Sequence, residues 1–370
     1  MAVLVDAHHI ELGQTGNETW SRNVVRALAE RASTEPGGAD DLHVAVVRAG
    51  MGVVQPLVRP GNAHIVSERS PVRLAVDLPR VIRRVRPSSI LVQYTIPPQA
   101  LIRTPAVVVV HDLSFERPEA RAWIQSRTLV RYRTTIRASV RAAARVVVPT
   151  DWTRCEVLER YALDEDRVVV AGNALDADLA AALRRTPICR DPDALVVLAV
   201  GTVLPRKNLN VAAKAVVRLR ARGLPAILRL VGPVPAAGRA YLAILQDTLG
   251  SGLDVRGALP IDDLAAAYRS AHVLAFPSLF EGFGIPLVEA MAAGLPIVSS
   301  DATCLPEVAG EAALYADPRS PDQWTEALNL VLTDSTEADR LAAAGTRRLR
   351  AFDWSQSARV VDQALREAAA

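Results

Sequence analysis

Short blocks of Val, Ile and Leu recur along the chain, separated by longer stretches in which apolar residues follow a helical period. In the first half the blocks are Val3 to Val5, Val44 to Val47, Ile90 to Val92, Val107 to Val110, Val146 to Val148 and Val168 to Ala171. They are apolar throughout rather than alternating, which marks strands buried on both faces, and such strands separated by helices build parallel sheets. A helix end and a Pro-containing connector follow over Leu179 to Ile188. The same alternation then restarts at Leu195 to Val200, Ile227 to Val231, Val255, Val273 to Phe276 and Ile297 to Ser299. The restart predicts two successive doubly wound α/β units, Rossmann-like, over 1–185 and 186–353. The last segment, 354–370, is helical by pattern.

Doubly wound sheets bind ligands at the carboxyl ends of their strands, where the strand order reverses, and two such units facing each other form a cleft. Residues carrying chemistry should therefore follow the apolar blocks. The run from Pro277 to Gly294 does so most clearly. Gly282 and Gly284 let the backbone turn and approach a ligand, Pro286 suits a first helical turn, and Gly294 with Pro296 closes the helix. The free N–H groups around Gly284, Ile285 and Leu287, with the positive end of the helix dipole, favour phosphate. Glu281 before this helix and Glu289 one turn inside it each offer two oxygens to adjacent hydroxyls of a sugar or ribose. Read singly, Glu281 is also an ordinary loop residue and Glu289 an ordinary helix glutamate; the E-x7-E spacing around Gly-Phe-Gly and Pro favours a site.

Arg206 and Lys207, in the loop after Leu195 to Val200, are placed to hold a diphosphate and to stabilise the charge that develops as it leaves. In the first unit His111 and Asp112 directly follow a buried strand. Gly13 and Gly16 lie in a loop ahead of a helix expected over Thr19 to Glu30, where they permit close backbone approach to phosphates or acceptor.

The segment from Pro277 to Gly294 resembles the signature of the retaining glycosyltransferases of family four, which have the GT-B fold. The resemblance covers residues 195–350 and, more loosely, the first unit. It implies that Glu281 contacts the donor sugar and Glu289 the nucleotide ribose, and that Gly282, Phe283, Gly284, Ile285 and Leu287 lie against the nucleotide sugar. Arg206-Lys207 matches the family's basic pair, and His111-Asp112-Leu113-Ser114-Phe115 is similar to mannosyltransferase-like members, in which the His lies against the sugar. Arg256 to Pro260, with Leu264 and Tyr268, resembles the strand and loop whose backbone, here at Leu259, meets the base. The resemblance also implies that the final helix crosses back to the first unit. Two loops depart from the pattern: Gly16-Asn17-Glu18-Thr19-Trp20 stands where the family often shows a G-x-G stretch followed by an aromatic residue, and Val170 to Asp176 departs from the commoner P-N-G-V-D.

The expected activity is transfer of a hexose, mannose from GDP-mannose as first choice, to an acceptor hydroxyl with no metal and no cofactor beyond the donor. Alternatives are a UDP- or dTDP-sugar donor with a glycolipid or natural-product acceptor, an epimerase or hydrolase of sugar nucleotides, and a non-catalytic nucleotide-sugar-binding partner. The acceptor is expected to be a carbohydrate, a lipid-linked molecule or a small molecule.

At 370 residues the chain is long enough for two cores. Cys155, Cys189 and Cys304 form neither a C-x-x-C pair nor a cluster with His at metal spacing, the pattern of a reduced, cytoplasmic protein. No run of 18 apolar residues predicts a membrane span. Charge changes the picture at one place. No acid occurs from Ala120 to Thr150, a stretch holding Arg121, Arg127, Arg131, Arg133, Arg137, Arg141 and Arg145, the last three expected on one helix face. This suits an anionic acceptor or the inner face of a membrane, or is a solvated face. Nucleic acid is disfavoured, since no recognition motif or aromatic interleaving accompanies the arginines.

Overall fold

A computed structural model of the chain describes residues 1–13, 15–34, 41–122, 124–190 and 192–370. They form two compact units. The first comprises Met1–Arg117, Ser126–Asn173 and Asp353–Ala370, and the second Pro118–Gln125 and Ala174–Phe352.

The first unit begins with strand β1 (Ala2–Asp6), helix α1 (Thr15–Thr34), β2 (Asp41–Val46), β3 (Ala63–Ile65), α2 (Leu78–Val85) and β4 (Ser89–Gln93). It continues through β5 (Ala106–Val109), α3 (Ser126–Ala142), β6 (Arg145–Val148), α4 (Asp151–Tyr161) and β7 (Val168–Val170). The strands pair in parallel in the order β3-β2-β1-β4-β5-β6-β7. Val3, Val5, Val44, Leu91, Val107 and Val147 of this sheet share a core with Trp20 and Val24 of α1.

The second unit holds α5 (Ala177–Arg185), β8 (Leu195–Val200), α6 (Leu209–Ala221), β9 (Ala226–Val231), α7 (Arg239–Leu249) and β10 (Leu253–Gly257). After these come α8 (Ile261–Ser270), β11 (Val273–Phe276), α9 (Ile285–Ala293), β12 (Ile297–Ser300) and β13 (Ala313–Ala316), then α10 (Pro321–Thr333) and α11 (Ser335–Arg348). Its sheet is also parallel throughout, in the order β10-β9-β8-β11-β12-β13. The final helix, α12 (Trp354–Ala369), belongs to the first unit, where Ala358, Val361, Ala364 and Leu365 enter the core described above.

Caps set several helix starts: the side chains of Thr150, Asp176, Ser320, Asp334 and Asp353 each accept from a backbone N–H of the first turn that follows. In both units the order reverses beside the first strand, at β1/β4 and at β8/β11, so each sheet opens a ligand crevice at those carboxyl ends.

Three expectations are corrected, and two edge strands add to those read from the sequence. The division between units falls at Asn173 and Ala174, ahead of residue 186, because α5 packs on α8. Strands β3 and β13 lie outside the apolar blocks read from the sequence: β3 is three residues long with His64 at its centre, and β13, at the edge of its sheet, leaves Tyr315 exposed. Helix α1 starts at Thr15, before Thr19, which puts Gly16 inside a helix rather than in a loop. Arg145 opens β6 and pairs with Glu367, so it does not share a helix face with Arg137 and Arg141. Among the described residues no helix is long and apolar enough to cross a membrane.

Candidate active site

In the second unit the loops after β8 and β11 flank the reversal of strand order, and the side chains read from the sequence converge there. Leu204 leaves β8 extended; Pro205–Lys207 makes one tight turn, and Asn208 ends it at φ 52. That left-handed residue is secured by its own amide, which donates to the carbonyls of Pro277 at 3.1 Å and Pro318 at 2.6 Å. The Leu279 N–H donates to the Arg206 carbonyl at 2.9 Å. The two loops are therefore stitched together by backbone before any charge is considered.

The charges complete the connection. Lys207 Nζ lies 2.5 Å from Glu281 Oε1, and Arg206 Nη1 lies 3.2 Å from both Glu281 Oε2 and the Phe280 carbonyl. Lys207 also stands over the Phe276 ring, 5.1 Å from its centre. Gly201 leaves it room: a Cβ there would come within 3.3 Å of Lys207 Cε. On the other side, the Thr303 hydroxyl accepts from the Glu281 N–H at 3.4 Å, and Cys304 Sγ donates to the Glu281 carbonyl at 3.3 Å.

Gly284 takes φ 92 and begins α9; Gly282 does not have positive φ. A Cβ on Gly284 would meet Leu305 at 2.9 Å, Leu287 at 3.2 Å and Phe276 at 3.3 Å, so glycine is required by both conformation and space. Phe283 packs edge-on against Phe352 with ring centres 5.6 Å apart, and Leu287 is fully buried. Their side chains thus hold the helix start in place, leaving backbone N–H groups as what this turn offers a ligand.

Glu289, one turn into α9, accepts a hydrogen bond from the Tyr268 hydroxyl at 2.5 Å. The two glutamates of the E-x7-E spacing are tuned in opposite directions. Burial pushes the Glu281 carboxyl up, but Lys207 and Arg206 together outweigh it and hold it at about 2. Glu289 is also raised by burial, then by the charge of Asp176, and the Tyr268 hydrogen bond offsets only part of this, leaving it at about 7.

The remaining candidates are distributed as follows. Leu259 follows β10 at the outer edge of the second sheet. In the first unit, His111 follows β5, with Trp20 and Tyr94 edge-on to its ring at 5.3 and 5.7 Å. Burial lowers its pKa to about 4, so the ring is neutral near pH 7. Gln93 donates to Ser21 Oγ at 2.5 Å and accepts from His111 Nε2 at 2.9 Å, which leaves His111 Nδ1 as an acceptor. Asp112 accepts from the Ser114 N–H at 2.8 Å, a turn-forming role. Gly13 has φ 66 in the turn after β1.

Sequence reasoning missed Gln93, Ser21, Asn208 and Thr303, each of which positions a predicted residue. It also missed a buried cluster at the end of β1, where Asp6 meets His8 at 3.1 Å and Arg73 at 3.3 Å. Polar residues directly after apolar blocks, as in Val92-Gln93-Tyr94 and Val5-Asp6-Ala7-His8, were the available signal.

Two family models match the chain: Glycosyltransferase Family 4 over residues 16–179 and Glycosyl transferases group 1 over residues 185–348. The chain belongs to these glycosyltransferases. Among relatives of this glycosyltransferase, O-antigen chain mannosyltransferase B of Escherichia coli is 28% identical over 270 residues, 67% of each chain. A D-inositol 3-phosphate glycosyltransferase of Nocardioides sp. is 31% identical over 241 residues, 60% of this chain and 53% of the relative. The match thus spans between about half and two thirds of these curated relatives. Two solved structures share the fold. Sucrose-phosphate synthase from Thermosynechococcus elongatus has a TM-score of 0.73 and 20% identity, covering 99% of this chain and 98% of its own. Anabaena Alr3699/HepE in complex with UDP and glucose has a TM-score of 0.73 and 17% identity, covering 99% of each chain.

The opposite tuning of the glutamates predicts opposite effects on stability. Glu281 stabilises the fold above its ordinary pKa near 4.5, and this is lost as pH falls toward 2. Glu289 favours the fold when protonated, so its contribution is lost as pH rises from 4.5 through about 7. In thermal melts at pH 8, Glu281→Gln is expected to destabilise by roughly 3 kcal/mol, by stranding two buried cations, and Glu289→Gln to stabilise. Gly284→Ala is expected to cost on the order of 2–4 kcal/mol in the same melts.

Proposed function

We propose that this glycosyltransferase moves a hexose from a nucleotide sugar to an acceptor hydroxyl with retention at the anomeric carbon, with mannose from GDP-mannose as the first choice of donor. The observation carrying this reading is the Lys207–Glu281–Arg206 network beside the α9 amino end, at the reversal of strand order. Two cations and a helix amino end suit a diphosphate; the adjacent carboxylate suits sugar hydroxyls.

In the proposed reaction the bond from the anomeric carbon to the diphosphate breaks, and a bond to the acceptor oxygen forms on the same face. The acceptor proton passes to the departing phosphate oxygen, so no carboxylate nucleophile is needed. Arg206, Lys207 and the α9 amino end stabilise the charge on the leaving diphosphate without a metal. Glu281 orients the sugar, Glu289 takes the ribose and the backbone at Leu259 meets the base. His111 is the first unit's candidate for the sugar, as a neutral hydrogen-bonding group rather than an acid. The mannosyltransferase relative favours mannose. On α3, within the acid-free arginine segment, Arg133 and Arg141 donate to backbone carbonyls, whereas Arg127, Arg131 and Arg137 are exposed and donate no hydrogen bond among the described residues. We assign these three to an anionic partner, either a lipid-linked acceptor or the membrane surface bearing it.

The test is transfer from GDP-mannose, UDP-glucose and dTDP-glucose, with and without a chelator, by wild type, Glu281→Gln and Arg206→Ala. The expected result is chelator-insensitive transfer that falls on the order of 100-fold or more in each variant. Strong dependence on metal would contradict the charge role of the basic pair. Sugar release without acceptor at the full turnover rate would favour a hydrolase or epimerase, and undiminished activity of both variants in a reconstituted pathway a non-catalytic partner.

A further inference from the structure

Tyr268 stands on α8, the helix after β10, and reaches α9 after β11, with which α8 packs. Its side chain is 1% exposed and its hydroxyl meets Glu289 Oε2 at 2.5 Å. A phenol has one proton to donate, and here it goes to the carboxylate. Glu289 Oε1 accepts no hydrogen bond among the described residues, and the glutamate keeps 8% exposure. One oxygen is thus fixed from within the unit and the other remains available.

Resting on the reading of Glu289 as the ribose contact, we propose that Tyr268 is a positioning residue for nucleotide binding: it holds Glu289 in one rotamer, with a free oxygen for the adjacent ribose hydroxyls. A carboxylate with two rotatable bonds beyond Cβ would otherwise lose more conformational freedom on binding; an O–H bond made beforehand removes that cost. The same bond favours the ionised form, the better acceptor for two hydroxyls. The groups acting on this carboxylate are few. Tyr268 approaches from α8, and Asp176, capping α5, adds like charge. Arg269 of α8 donates instead to the carbonyls of Ala293 and Leu183. From α11, which also packs on α9, Gly345 lies against Met291, and no charged group of α11 acts on Glu289. Without Tyr268, burial and Asp176 act on Glu289 unopposed, so the carboxyl binds its proton more tightly.

The experiment measures dissociation constants of GDP and UDP from pH 6 to 9 for wild type, Tyr268→Phe, Glu289→Gln and the double variant. Wild-type affinity for the better nucleotide should fall as pH drops below about 7, where Glu289 gains its proton. Tyr268→Phe should shift this profile to higher pH and weaken binding at pH 7 on the order of tenfold, with a smaller deficit persisting near pH 9, where Glu289 is ionised in both proteins and only the lost rotamer restraint separates them. Glu289→Gln should bind weakly without this pH dependence, and adding Tyr268→Phe to it should change nothing further. A merely structural tyrosine would weaken binding equally whether position 289 carries the native glutamate or the substitution. Superimposed wild-type and Tyr268→Phe profiles, or an undiminished effect of Tyr268→Phe when combined with Glu289→Gln, would overturn the proposal for Tyr268 alone. Failure of wild type to bind either nucleotide, or binding indifferent to Glu289→Gln, would overturn the ribose reading beneath it.

Discussion

A carboxylate buried between two cations, Glu281 with Lys207 and Arg206, is the interaction on which the second unit's candidate site depends. None of the three charges is cheap to bury, since each loses several kcal/mol of hydration. Their mutual attraction, the Phe280 carbonyl and the face of Phe276 compensate one another only if all are in place. Removing the carboxylate leaves two stranded cations, whereas removing either cation leaves the carboxylate half paired. The arrangement also joins loops far apart in sequence, so the ends of β8 and β11 hold one geometry.

This network changes how the basic pair is understood. From the sequence, Arg206 and Lys207 are two cations awaiting a diphosphate; in the structure Glu281 already shares their charge. A diphosphate bound as proposed would meet a local net charge nearer one than two, and the α9 amino end would supply part of the attraction. In the proposed reaction that division of labour would suit turnover, because a site that neutralised the product diphosphate completely would release it slowly. Eight residues along, Glu289 has no cation acting on it among the described residues and faces only a phenol and the charge of Asp176. Two glutamates on one motif thus have different protonation behaviour because their neighbours differ, and the proposed roles follow that difference.

The parallel strands buried on both faces were legible because each carries a block of consecutive apolar residues; Leu195 to Val200 and Val273 to Phe276 coincide with β8 and β11 to the residue. The edge strands β3 and β13 were not, since each is only three or four residues long and partly exposed, β3 with His64 at its centre and β13 with Tyr315 facing outward. Glu281, Arg206, Lys207 and Gly284 could be picked out by their order after strands, but not their pairing, which depends on how two loops distant in sequence meet. The resemblance grouped Tyr268 with the strand and loop expected to meet the base, yet nothing in its spacing showed a bond to Glu289. Supporting residues such as Gln93 and Asn208 are ordinary polar residues in sequence. Their importance comes from the backbone they secure, and a chain read in one dimension does not display that.

The most direct measurement is the side-chain carboxyl chemical shift of Glu281 in selectively carbon-13-labelled protein, followed from pH 7 down to 4 in wild type and Lys207→Met. The account predicts a carboxylate that stays ionised at pH 4 in wild type, in keeping with a pKa held at about 2, and takes up its proton at higher pH once Lys207 is gone. A wild-type midpoint near 4.5, unmoved by the substitution, would mean that the buried ion network does not govern this site.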